Sequence, residues 1–79
     1  PSTTISYSLA NAGSQVNLQV FNTRGQLLRS LVDAQQAEGV HRVVWDGKDD
    51  QGRDMAAGVY FYRLRTDDYS QINRMLLLK

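Results

Sequence analysis

Cysteine is absent from the 79 residues, and with it go disulfides, thiolate chemistry and zinc–thiolate sites. Proline occurs once, at the first position, and histidine once, at His41. A lone histidine with no convergent partner nearby in sequence makes neither a nucleophile–base pair nor a metal site. Excess charge is missing too. Nine basic and eight acidic residues leave a net +1, and no basic block with interleaved exposed aromatics marks a nucleic-acid partner. No apolar run nears the ~18 residues of a membrane-spanning helix, and no signal-peptide pattern opens the chain. The phosphate-cradling loop, the G-x-S-x-G elbow and the H-E-x-x-H zinc helix do not occur. The expectation is a module that is not an enzyme and needs no cofactor.

What is present reads as strands. A hydrophobic content of 42% suits a folded domain and is too high for a disordered tail. Ile5, Tyr7 and Leu9 alternate with Thr4, Ser6 and Ser8, and Val16, Leu18 and Val20 alternate with Asn17, Gln19 and Phe21. This period of two marks half-buried strands. Asn11-Ala12-Gly13 punctuates the two as a turn. Asn22-Thr23-Arg24-Gly25 suits a type I turn closed by a left-handed glycine, which makes a tight hairpin. From Gln26 to Asp33 the alternation breaks at Leu27, Leu28, Leu31 and Val32, too short for three turns of helix, so an irregular or bulged strand is expected. A polar loop from Ala34 to Gly39 should come after it. His41, Val43 and Trp45 share one strand face, as do Tyr60, Tyr62 and Leu64, and Tyr69 to Lys79 makes the last strand. About seven short segments with turn chemistry between them predict an all-β, antiparallel sandwich. Its expected core is Tyr7, Val16, Leu18, Val20, Val43, Trp45, Tyr60, Tyr62 and Leu64.

Three features invite a functional reading, each beside a structural one. The acidic stretch of Asp46, Asp49, Asp50 and Asp54 tempts a calcium assignment, but a calcium loop needs oxygen ligands at alternate positions. Lys48 stands where a ligand should be and Arg53 intrudes, so turn-forming aspartates are expected, with a metal site at Asp46, Asp49 and Asp50 as the weak alternative. Trp45, Tyr60, Phe61 and Tyr62 could stack on sugar rings, making a carbohydrate-binding module. Yet Trp45, Tyr60 and Tyr62 fall on faces a sandwich core needs, which leaves Phe61, Phe21 and Tyr69 as candidates for exposure. The closing Met75-Leu76-Leu77-Leu78-Lys79 is either a strand buried on both faces or an exposed edge open to strand addition. Edge strands also leave self-association open. The chain opens on Pro1 rather than methionine and reads as one domain, 1–79, of a longer protein.

The order of motifs resembles a known family. Pro1-Ser2-Thr3-Thr4-Ile5-Ser6-Tyr7-Ser8-Leu9 is similar to the start of C-terminal sorting domains of the type IX secretion system. Val20-Phe21-Asn22 with Gly25-Gln26, Leu31-Val32-Asp33, Gly39-x-His41, Val44-Trp45-Asp46-Gly47 and the Asp50–Gly52 neighbourhood continue the match. Gly58-Val59-Tyr60-Phe61-Tyr62-Arg63-Leu64 and the terminal Met75–Lys79 complete it. The middle of the chain is equally similar to the immunoglobulin-like domain of the flagellar hook-capping protein FlgD. The resemblance implies a seven-stranded immunoglobulin-like sandwich at the end of a secreted or cell-surface protein of Bacteroidetes-like bacteria, exported through the periplasm. It implies a non-catalytic address for an N-terminal cargo domain, read by the secretion machinery and a sortase at the outer membrane. On that reading Arg74, Met75, Leu76, Leu77, Leu78 and Lys79 carry recognition. A FlgD-like scaffold in hook assembly is the alternative.

Overall fold

The computed structural model describes residues 2–78, so Pro1 and Lys79 lie outside the described residues. Six strands run in order: β1 (Thr3–Leu9), β2 (Ser14–Phe21), β3 (Leu27–Gln36), β4 (Gly39–Trp45), β5 (Gly58–Arg65) and β6 (Ser70–Leu77). They form two antiparallel sheets, one of β1–β4 and one in the order β3-β2-β5-β6. The β1–β2, β3–β4 and β4–β5 connections change sheet, while β2–β3 and β5–β6 are hairpins. The period-two segments each turn one apolar row inward. Ile5, Tyr7, Leu9 and Trp45 from the small sheet meet Val16, Leu18, Val20, Tyr60, Leu64, Met75 and Leu77 from the large one. Burial of those rows is the main force holding the two layers together.

The all-β antiparallel sandwich is what the pattern predicted and the immunoglobulin-like form what the resemblance implied, with six strands among the described residues instead of about seven. The connection from β4 to β5 adds only one bridge, Lys48 opposite Asp54. Gly47 and Gly52 there take φ of 77° and 81°, a left-handed backbone that glycine adopts without a side-chain penalty and that bends the chain away from an extended path. The broken pattern after Gln26 also has a physical cause. In the β2–β3 ladder Leu18 faces Val32 but Gln19 faces Ser30, and Val20 faces Arg29 but Phe21 faces Leu27. Leu31 and Leu28 are therefore the extra residues of two bulges. The bulges let Leu28, Leu31 and Val32 all pack against the core, which strict alternation would forbid. β3 also runs on through Ala34, Gln35 and Gln36, where a loop was expected. Ala34 and the polar Gln35 and Gln36 pair with Val16, Gln15 and Ser14 on this edge strand, where water on one side suits the glutamines.

Of the nine expected core residues, seven are buried, while Val43 and Tyr62 are only partly so. The tail supplies two further core residues, Met75 and Leu77, to which the resemblance gave a recognition role.

Candidate functional site

The acidic loop is a built structure in which every carboxylate faces a cation or a donor. Asp49, 5% exposed, accepts from the backbone N–H of Gln51 (3.0 Å) and Arg53 (2.9 Å), and from Arg53 Nε at 2.8 Å. The Arg53 backbone N–H first, and then the guanidinium and the Gln51 N–H, hold its carboxyl below the usual aspartate range against the opposing effect of burial. Asp46 accepts from Lys48 N and from Arg29 Nη1. Asp50 accepts from Ser30 N and lies 3.8 Å from Arg29 Nε. Lys48 Nζ meets Asp54 at 2.7 Å, and this bond raises the pKa of the Lys48 ammonium. Among the described residues no group of three acidic or histidine side chains is arranged to hold a metal ion. Asp46, Asp49 and Asp50 are brought together as turn formers, each already engaged.

The loop in turn completes the core. Trp45 is fully buried and its indole N–H donates to Lys48 O at 2.9 Å, so a loop carbonyl satisfies the polar atom of this side chain. Tyr60 stands edge-on to Trp45 at 5.0 Å and donates its hydroxyl to Ala56 O. Trp45, Tyr60 and Tyr62 thus face the interior or its margin and offer no platform to a sugar ring. His41 stacks on Tyr7 at 5.5 Å and its Nε2 bonds Ala37 O, so it serves as a packed structural histidine. Burial pushes the Tyr7 hydroxyl up, and it donates to Gln36 Oε1.

The tail divides by parity. Met75 and Leu77 point into the core, 8% and 0% exposed, whereas Leu76 and Leu78 are 55% and 70% exposed. Arg74 is exposed and Lys79 lies outside the described residues. Of the two readings of the terminal run, each holds in part: β6 is a sheet-edge strand that pairs only with β5, and one of its faces is core while the other is surface. A deletion of residues 74–79 would remove two core side chains and so cannot isolate recognition from folding.

The outer face of the large sheet holds what the sequence pattern did not bring together. Register places Phe21 beside Phe61, Phe61 beside Arg74, and Arg63 beside Ile72. Arg63 lies over the Phe21 ring at 5.2 Å and donates to Gln19 Oε1 at 2.7 Å. The hairpin turn closes one end. Asn22 Oδ1 accepts from Arg24 N and Gln26 N, and Gly25, at φ 80°, donates its N–H to Asn22 O, the type of turn read from Asn22–Gly25. An open groove of about 290 Å³ results, lined by Phe21, Asn22, Thr23, Gly25, Phe61, Arg63 and Ile72. Alternation did suggest that Phe21 and Phe61 face outward. Their meeting with Ile72 and the turn needed the β2–β5–β6 order, which no local pattern encodes.

Comparison with known proteins gives the family. The FlgD Ig-like domain model matches residues 1–69. This chain belongs to the FlgD Ig-like domain family. Among solved structures it is similar to FlgD from P. aeruginosa, with 28% sequence identity and a TM-score of 0.76. That match covers 98% of this chain and 60% of the FlgD chain. No curated protein matches. The FlgD Ig-like match ends where the β5–β6 turn does, just before β6, while the structural match extends over nearly all of the chain. Neither match carries the type IX sorting resemblance.

Proposed function

We propose that this domain is a non-catalytic scaffold module of the FlgD kind, working in the assembly of the flagellar hook. The observation that carries the reading is the FlgD Ig-like match over residues 1–69 together with the likeness to P. aeruginosa FlgD along nearly the whole chain. The chemistry is consistent with it: the clustered charges are spent on ion pairs and turns, and the aromatic cluster is spent on the core. A scaffold acts through surfaces, and self-association draws support from β4. This strand pairs only with β1 and exposes Val40 and Val44, which suits an added strand.

The test is a chimera in which this chain replaces the Ig-like domain of P. aeruginosa FlgD. Restored hooks and swimming are expected. A chimera that folds and is exported yet leaves cells without hooks overturns the reading. Sorting through the type IX system has the N-terminal and C-terminal motifs in its favour and no support from the family match. It is tested by fusing the chain to a reporter and exchanging Leu76 and Leu78 for serine, which leaves Met75 and Leu77 in the core. Surface delivery that depends on those two exchanges would favour sorting over the scaffold.

A further inference from the structure

The strands β2, β5 and β6 contain three arginines, Arg63, Arg65 and Arg74, and no acidic residue. All the ion pairs among the described residues lie elsewhere, within the 46–54 loop or between it and Arg29. Strand alternation puts the three arginines on the outer face with Val59, Phe61, Ile72 and Leu76. Ile72 and Leu76 are 65% and 55% exposed. The face is thus apolar and cationic at once, and its groove opens beside Arg63.

From this charge imbalance we propose that the outer face of β2–β5–β6 binds an acidic polypeptide segment that places one bulky apolar side chain in the Phe21–Phe61–Ile72 groove. A groove of about 290 Å³ sits at the bottom of the range for small-molecule pockets and suits a side chain better than a cofactor. Arg63 is held by Phe21 below and Gln19 beside it. Its planar fork is ordered before a partner arrives, which reduces the entropy lost in gripping a carboxylate. Arg74, across from Phe61, and Arg65, one period along from Arg63, extend the positive row. Carboxylates spaced along an extended or helical segment meet this row while the apolar anchor fills the groove. The inference does not rest on the hook-assembly reading and stands or falls separately.

The test uses fluorescence anisotropy of the whole chain with a short labelled peptide of glutamates and serines around one central leucine. Two control peptides replace the glutamates by lysine or the leucine by serine. Binding of the acidic leucine peptide at low salt is expected, weakened about tenfold by either control change, by Arg74→Glu and by Ile72→Ser. Arg42→Glu, on the opposite sheet, should leave it unchanged. Added salt should weaken it further. Circular dichroism checks that each variant is folded. The proposal is overturned by no binding of the acidic peptide, by binding indifferent to the leucine or to Arg74, or by tighter binding to phosphatidylglycerol vesicles than to the peptide.

Discussion

The 46–57 loop and the outer face of β5–β6 are both dense in charge, yet they use it in opposite ways. In the loop each aspartate meets a cation or a backbone N–H inside the domain. On the sheet face three arginines meet no carboxylate within the described residues. The loop is the more conspicuous in sequence and the less available in space. A run of like residues therefore says little about a site until its partners are known. What separates a frame from a binding surface is whether the charges are already answered.

The contrast between loop and face is most vulnerable at Trp45. If the loop serves the core, Trp45→Ala should cost about 3–5 kcal/mol, a large share of what a domain this small can hold, and the chain should fail to show a cooperative melt. A mild effect in chemical denaturation would mean the loop does not depend on the indole. Next comes the tail, where adjacent residues should behave differently. Leu77→Ala, emptying a fully buried site, should cost about 2–5 kcal/mol. Leu76→Ala, on the outer face, should stay within about 0.5 kcal/mol. Equal effects in urea titrations would abolish the division of β6 into core and surface.

The same two regions show what a sequence makes legible. Period-two alternation marked both faces of β1, β2, β4 and β5, because one buried face imposes that period whatever the partners are. It faltered at Leu28 and Leu31, where bulges need knowledge of the neighbouring strand. It also left open which side of the closing run is core, since an apolar run without alternation does not say which face is buried; Met75 and Leu77 are the core residues there. Asn22–Gly25 was readable because the turn is local: a side-chain oxygen capping two N–H groups and a glycine at positive φ lie within a few residues. The groove was not readable. Phe21, Phe61 and Ile72 are 40 and 11 residues apart and meet only through sheet order.

Smaller effects test the loop and the turn. The Asp49 carboxyl sits below its ordinary value in the folded state, so the unfolded chain binds the proton more tightly. The stability this carboxylate contributes is complete above the unfolded pKa of about 4 and is lost as pH falls below it toward the folded value. Asp49→Asn should lower stability at neutral pH and flatten the decline in acid, read from denaturant midpoints across that range. An unchanged acid profile would show that Asp49 does not hold the loop. Gly25→Ala meets no atom within 4 Å of its new Cβ, so only the left-handed backbone opposes it, at about 1 kcal/mol. Gly25→Asn should cost less.

The smallest expected stability change is at Arg74. It is exposed and has no carboxylate partner among the described residues, so Arg74→Glu should move stability by no more than about 0.5 kcal/mol. An acid here faces Arg63 diagonally across the β5–β6 ladder, which offsets what is lost by removing the cation. That near-neutrality is what makes the position useful. If Arg74→Glu leaves the melt in place and still weakens the acidic peptide, the arginine acts outward, as the loop cations do not. If instead it unfolds the domain, the sheet face is structural in the same sense as the loop, and the contrast between the two regions fails.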